Sequence, residues 1–410
     1  MRRVAVSGIG VVSPMGNSPA AAFAAARAGR SGVHRLELPF AKRLQSPLAA
    51  TCDFDGAAHF DVVQLRMLDR VSQFALFATR QAVAASSDAL AGVDLDRAGV
   101  FIGIGMGGTL SMDAGYQTLY EEASDRIKPF TILLGMHNAA AAWVGIELGL
   151  RGPGMTYSTA CSSSAVAIGE AWLRVASGQL DLALAGGAEA PLSCGSLKAW
   201  EALHTLARVD ADDPSTSCRP FALDRSGMVL GEGAAMLVLE PWDRAVARGA
   251  TIHGEILGCG ITNDARHITQ PSVEGQAAAL RAALHSAGLA PEGIDAINAH
   301  GTGTRANDGT ETAALRAVFG PHAQHLPVSA TKALHGHLLG AAGALECVLS
   351  LLAMRHAVAL PTMHLTQADP ACDLDYVPGQ AREEVAARAM LSSSFAFGGA
   401  NAVLALGAGP

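Results

Sequence analysis

Four side chains of this 410-residue chain have the types and settings for joint covalent chemistry: Cys161, His300, Lys332 and His337. Cys161 sits in Ser158–Ser164, "STACSSS", after a strand-like Met155-Thr156-Tyr157 and before a helix-like run that closes at Gly178. A helix N-terminus carries partial positive charge, so it favours a thiolate and lowers its pKa. A free cysteine also packs as a small hydrophobe, so this position alone leaves both roles open. His300 ends a strand-like run and enters a Gly/Thr loop, "NAHGTGT". Lys332 and His337 straddle a turn in "TKALHGHLLGAAG", ahead of an apolar helix. A glycine-rich turn near the C-terminus, "SSSFAFGGANA", carries Phe395 and Phe397. A lone histidine is usually structural. Two at strand-end turns, a lysine five residues before one of them, and a cysteine in a matching turn make a more specific set.

Elements that must position these groups alternate along the chain. Arg3 to Ile9 reads as a buried first strand, and Ser18-Pro19 as an N-cap with proline opening the next helix. Ser72–Ser86 reads as a helix, and "AGVFIGIGMGG" as a strand entering a glycine-rich loop. "DLALAGGAEA" and "AAMLVLE" are buried strands. A second series begins near Thr251: strand "IHGEILGCGI", helix "EGQAAALRAALHSAG", strand "DAINAHG", helix "DGTETAALRAVFG". This predicts an α/β fold with helices layered on sheets. "YSTACSSSAVAIG" resembles "VSATKALHGHLLG", and "LAGGAEA" (Leu184–Ala190) resembles "AFGGANA" (Ala396–Ala402), which suggests two related halves, 1–250 and 251–410, sharing one core.

Composition narrows the function. Half the residues are hydrophobic and 16% are charged, which fits a packed protein rather than a disordered one. A net charge of −8 argues against general nucleic-acid binding. Seven scattered cysteines without a CxxC pair suit neither a disulfide framework nor a structural zinc site, and no metal is expected. "GIGMGG" (Gly103–Gly108) lacks the dinucleotide spacing and reads as a tight loop lining a cavity. The N-terminus lacks a signal-peptide ending. Leu338–Met354 is short for a membrane span and carries Glu346, so a buried helix is expected, in a cytoplasmic protein.

In order, "TACSSS", "GMVLGEGAAMLVLE", "NAHGTGT", "KALHGHLLGAAG" and "FGGAN" resemble the elongating β-ketoacyl-carrier-protein synthases of the thiolase superfamily. The likeness runs from "VAVSGIG" to "FAFGGANAVL". It implies a thiolase-like five-layer αβαβα fold of two similar halves. It also implies an acyltransferase of the β-ketoacyl synthase II type: Cys161 takes an acyl chain from an acyl carrier protein, and malonyl carrier protein loses carbon dioxide and attacks that thioester. By the same likeness His300 and His337 stabilise the enolate, while Lys332 and Glu346 form a polar pair behind them. The backbone N–H groups of Cys161 and Phe397 form an oxyanion hole, Phe397 is a gate, and His335 is a decoy. Thr302, Thr304 and Thr269 would hold phosphopantetheine, although threonines in such turns also serve as caps. Met106, Leu197 and Thr131, none of them aromatic, stand at acyl-pocket positions. Arg66, Arg70, Arg126 and Lys128 are candidates for carrier docking. No cofactor is implied beyond the carrier's own phosphopantetheine. The implied assembly is a homodimer, or a heterodimer with a sister ketosynthase-like subunit.

Competing readings are less economical. A thiolase would use coenzyme A and a second cysteine in the C-terminal turn, where Ser394 and Phe395 stand. A non-catalytic chain-length partner would normally lack the cysteine. A cysteine hydrolase has no use for the second histidine and the lysine. The acyl substrate stays open between fatty-acid synthesis and a dedicated polyketide or polyene pathway.

Overall fold

The computed structural model describes residues 1–122 and 124–410. Ten strands form one continuous mixed sheet: β1 (Val4–Val12), β2 (Ala98–Gly103), β3 (Gly154–Tyr157), β4 (Leu182–Glu189), β5 (Gly233–Pro241), β6 (Gly254–Asn263), β7 (Ala296–Asn298), β8 (Val328–Ser329), β9 (Ala389–Phe395) and β10 (Ala400–Ala408). Their spatial order is 8-7-9-10-6-1-5-4-2-3. Read outward from the middle, the first five run 1-5-4-2-3 and the last five 6-10-9-7-8, the same order offset by five. Strand directions repeat too. β1–β5 and β5–β4 are antiparallel, as are β6–β10 and β10–β9. β4–β2 and β2–β3 are parallel, as are β9–β7 and β7–β8. Among the described residues the two sets of strands pair through the short stretch of Val4–Val6 with Gly254–Ile256.

Helices complete the layers. α1 (Arg70–Ala85) and α2 (Ala139–Leu148) cover the outer face of β1–β5, and α4 (Val273–Ala287) covers β6–β10 with α5 (Arg305–Phe319) against it. Between the two sets of strands lie α3 (Ser163–Ala176) and α6 (Ala342–Arg355), each touching strands of both sets. This is the thiolase-like five-layer arrangement. Local chemistry sets the helix ends. Asp69 caps α1 by accepting the Val71 N–H, Ser18 caps Pro19–Arg27, and α4 stops where Gly288 turns left-handed at φ 66°. α6 is buried from Ala342 to Met354, which explains why it is apolar on every side. No helix among the described residues is long and apolar enough to cross a membrane.

The central core mixes residues of both sets, such as Val4, Phe101, Ile168 and Leu237 with Leu345, Leu349 and Leu404, as the shared-core expectation requires. Separate outer cores form around Phe74 and Val100, and around Leu280 and Val403.

One part of the expected repeat is corrected. Leu184–Ala190 and Ala396–Ala402 are not equivalent, because the partner of β4 in the strand order is β9. Gly186 and Gly187 are extended residues inside β4, where a Cβ at 187 would fall 2.6 Å from Ser164 Cβ. Gly398 and Gly399 are left-handed, at φ 81° and 75°, and form the turn between β9 and β10.

Candidate active site

The chain leaves β3 and enters α3 through a short 3-10 turn, Ala160–Ser162, opened by left-handed Ala160 at φ 50°. An alanine in that region is strained and must be held there. The hydroxyls of "STACSSS" hold it. Ser162 Oγ donates to Thr159 O at 2.9 Å, Ser163 Oγ donates to Ala160 O at 2.6 Å, and Ser163 Oγ accepts the Thr159 N–H at 2.9 Å. Ser164 Oγ accepts the Ala344 N–H at 2.9 Å, locking α3 to α6. Cys161 projects from this elbow and is 6% exposed.

An equivalent elbow opens α6. Leu339, left-handed at φ 45°, starts the 3-10 turn Leu339–Ala341. Here Gly340 follows the strained residue where Cys161 follows it in the first set. His337 lies just upstream, and its Nδ1 accepts the Leu339 N–H at 3.2 Å. That bond fixes the hydrogen on Nε2, which is buried without a partner among the described residues. His300 ends the loop after β7. Glu311 on α5 accepts the His300 and Gly301 backbone N–H groups at 2.7 and 2.9 Å. Lys332 Nζ lies 3.3 Å from His300 Nδ1, so this ring too carries its hydrogen on Nε2. The lysine also donates to His300 O at 2.6 Å and to Glu346 Oε1 at 2.5 Å.

Burial, then the charge of Lys332, pushes both catalytic-candidate histidines well below the usual imidazole range. They are neutral N–H donors at physiological pH. Their rings meet edge-on with centroids 5.4 Å apart. Ligand atoms of Cys161, His300 and His337 lie within 4.8 Å of one another, the only such trio among the described residues. One thiol and two imidazoles could hold a borderline divalent ion. The same three atoms equally form a nucleophile facing two hydrogen-bond donors.

The thiol departs from expectation. Burial pushes Cys161 up to about 11 and outweighs the opposing charge of Lys332 and the Phe397 and Cys161 backbone N–H groups that point at the sulfur. The helix terminus therefore does not leave a resting thiolate. The two backbone N–H groups work against that rise without overcoming burial.

A cleft of about 560 Å³ opens over the trio, lined by Thr302, Thr304, Thr269 and Phe397 among others. Thr304 also caps α5, and its hydroxyl lies 2.9 Å from that of Thr302. Met106 and Leu197 join Cys161 in one apolar cluster. Thr131 does not. It lines a different cleft of about 1700 Å³, with Arg66, Arg70 and Lys128. Arg66, Arg126 and Lys128 are exposed. Arg70 is not a free docking charge, because Glu232 takes its guanidinium at 2.7 and 2.9 Å and it also donates to Cys52 O and Phe54 O. His335 bonds Thr331 and stays out of the cleft.

Several residues of the site escaped the sequence reading. Trp200 stacks on Phe397 with centroids 6.0 Å apart, so an aromatic packs against the apolar cluster around Cys161. Asp264 braces the Phe397 turn by accepting from Asn401 at 2.7 Å, and its N–H donates to Gly399 O. Glu311 holds backbone N–H groups of the loop just before its own helix, and Glu189 holds those of two distant loops, a function that leaves no spacing signal.

Fold and site together define a condensing-type enzyme centre on a thiolase-like frame. Profiles of the β-ketoacyl synthase N-terminal and C-terminal domains match residues 1–245 and 253–366, and the chain belongs to the β-ketoacyl synthase family. It is 41% identical over 404 residues to Nodulation protein E of Rhizobium meliloti, covering 98% of each chain. It is also 41% identical over 411 residues to 3-oxoacyl-[acyl-carrier-protein] synthase 2 of Coxiella burnetii, covering 99% of this chain and 98% of the relative. Among solved structures, the ishigamide ketosynthase/chain length factor superposes with a TM-score of 0.92 at 34% identity, over all of both chains.

Proposed function

We propose that the protein is a 3-oxoacyl-[acyl-carrier-protein] synthase of the β-ketoacyl synthase II type, extending an acyl chain by two carbons. The observation that carries this reading is the convergence of a thiol with two neutral imidazoles whose hydrogens sit on Nε2. Cys161 Sγ attacks the acyl-carrier thioester. The carbonyl oxygen takes negative charge beside the Cys161 and Phe397 N–H groups, and the carrier's thiol leaves with the cysteine proton. Malonyl carrier protein then enters, its arm beside Thr302, Thr304 and Thr269. As the carboxylate departs as carbon dioxide, charge builds on the thioester oxygen, where His300 and His337 donate. Each such donor is worth about 3 kcal/mol in the transition state. The resulting carbanion attacks acyl-Cys161, and the 3-oxoacyl carrier leaves with the new C–C bond. The released thiolate then takes one proton from solvent.

Lys332 acts through His300, whose tautomer it fixes, and Glu346 offsets the lysine charge in the core. No step calls for a cofactor or metal. We assign the acyl-accepting half to residues 1–250 and the decarboxylating half to 251–410. The partner is an acyl carrier protein. A dimer is supported by the sheet edge at β3, where Met155 is exposed, and by the exposed apolar Ile146, Ile132 and Leu133. Likeness to a ketosynthase/chain length factor favours a second reading, a polyketide or polyene ketosynthase paired with a sister subunit. Unpaired cysteines fit a reducing cytoplasm.

Intact-protein mass spectrometry after mixing with a panel of acyl carrier proteins tests the reading. The accepted acyl mass should appear on Cys161, and malonyl carrier should convert it to a 3-oxoacyl carrier with carbon dioxide. Free acid as the product would instead identify a hydrolase.

A further inference from the structure

Glu189 ends β4 and is fully buried, yet among the described residues no cation is bonded to it. Its carboxylate is satisfied by backbone alone. Oε2 accepts the Gly105 N–H at 2.7 Å and the Gly340 N–H at 2.9 Å, and Oε1 accepts the Met106 N–H at 3.0 Å. The first and third donors belong to the "GIGMGG" loop after β2. The second belongs to the elbow that opens α6. One carboxylate thus ties together loops from the two repeated sets.

Glycines make room for it. A Cβ on Gly105 would lie 2.7 Å from Glu189 Oε2, and one on Gly340 would lie 2.8 Å from it and 2.3 Å from the Gly105 nitrogen. Only bare backbone fits on both sides of the carboxylate. Both loops lead directly to the reaction. Met106 borders the apolar cluster around Cys161. Leu339, beside Gly340, donates the N–H that orients the His337 ring.

We propose that Glu189 is a positioning residue for condensation, clamping the Met106 loop of the acyl pocket against the turn that aims His337. This rests on the condensation reading above. The two carboxylate oxygens divide the task. Oε2 holds the two halves together, and Oε1 alone holds Met106. An amide in place of the acid can present its oxygen to only one side. With that oxygen at the Oε2 position, Gly105 and Gly340 stay bonded and the NH2 faces the Met106 N–H. The reverse orientation loses two bonds in place of one, so the first is preferred.

Glu189→Gln therefore separates the half-reactions. Acyl loading of Cys161 is expected to lose about tenfold in kcat/KM for long chains, mainly through KM. Malonyl decarboxylation, measured as carbon dioxide release, should fall less than about threefold, because the His337 turn keeps its anchor. Glu189→Ala loses both anchors and should lose both half-reactions. If it does not fold, the glutamine variant still decides. A double-mutant cycle with Met106→Ala supplies the second readout. If Glu189 acts through Met106, the two loading losses are not additive. Equal losses in both half-reactions, no loss in either, or additive losses in the cycle would each overturn the clamp. If the wild type is never acylated at Cys161, the function reading itself has failed, which is a distinguishable result.

Discussion

The two repeated sets build the same elbow and use it differently. Each passes through a non-glycine left-handed residue, Ala160 just after a strand in the first set and Leu339 after the helical turn Lys332–His335 in the second, then one 3-10 turn, then a 14-residue helix in the central layer. In the first set the residue after the strained one is Cys161. In the second it is Gly340, and the polar groups lie upstream at Lys332 and His337. Duplication supplies two mirrored places for chemistry. On the proposed reading, nucleophile and hydrogen-bond donors are divided between them, so the reaction would happen where the sets meet.

Removing the nucleophile is the strongest way to break that division. Cys161→Ser should lose acyl loading by at least about a thousandfold, since a buried hydroxyl has neither the thiol's acidity nor its leaving ability. Intact mass after incubation with an acyl carrier reads this directly. Ordinary loading by the serine variant would remove the first elbow from the chemistry.

The converse acts on the second set. His300→Ala and His337→Ala should each lower carbon dioxide release from malonyl carrier by about 10²–10³-fold while acyl transfer to Cys161 persists. If loading collapses as well, the two sets do not have separate tasks.

A third change tests the support behind the histidines. Lys332→Met strands Glu346 without a cation in a fully buried site, and should cost about 3–5 kcal/mol in urea unfolding. The double variant Lys332→Met/Glu346→Leu should recover most of that stability, because two apolar residues of similar size need no charge compensation. It should not recover decarboxylation, because His300 would still lack the group that fixes its tautomer. Stability and activity returning together would show that the pair serves packing alone.

Much of this comparison is written in the sequence. Alternating strands and helices are legible because apolar periodicity, the Ser18 cap and the Gly288 stop are local signals. The elbow of Cys161 and the turn of His337 are legible because their small and hydroxyl residues are dictated by close backbone packing. The Gly-Gly pairs mislead because glycine serves two opposite needs, close approach at Gly187 and a left-handed turn at Gly398. Arg70 misleads because its partner Glu232 lies 162 residues away. Glu189 and Asp264 are invisible for the same reason, since the backbone N–H groups that Glu189 holds and the Asn401 amide that Asp264 holds are brought near only by the fold. Burial of Cys161 is a tertiary property too, and it overrides the helix-end argument that holds for an exposed thiol.

Acids of the second set also leave a pH signature. Burial pushes Glu311 up to about 7, against the His300 and Gly301 N–H bonds that oppose it. The folded state therefore holds this proton more tightly than the unfolded chain, where the carboxyl titrates in its ordinary range. Its contribution lowers stability as pH rises toward 7, is fully unfavourable above that, and is relieved as pH falls. Glu311→Gln should remove this share. Relative to wild type, its urea midpoint should gain between pH 5 and 8. An unchanged difference across that range would show that Glu311 is ionised throughout.

The smallest expected effect lies on the surface of the first set. Arg66 and Arg126 are exposed, and Arg66 lines the cleft that also contains Lys128, while Arg70 is tied to Glu232. The chain is acidic overall, so an acidic carrier protein would be repelled except where a local basic patch guides it. Arg66→Glu or Arg126→Glu should raise KM for the carrier-bound substrate by about three- to tenfold at low salt, with little change for a small thioester mimic. Screening weakens the wild-type advantage, so the gap should narrow as ionic strength rises. Arg70→Glu makes the contrast. It breaks a half-buried ion pair and should impair folding, with losses that salt does not repair and that fall equally on both substrates. If Arg66 and Arg126 behave like Arg70, the surface of the first set is structural and the carrier docks elsewhere.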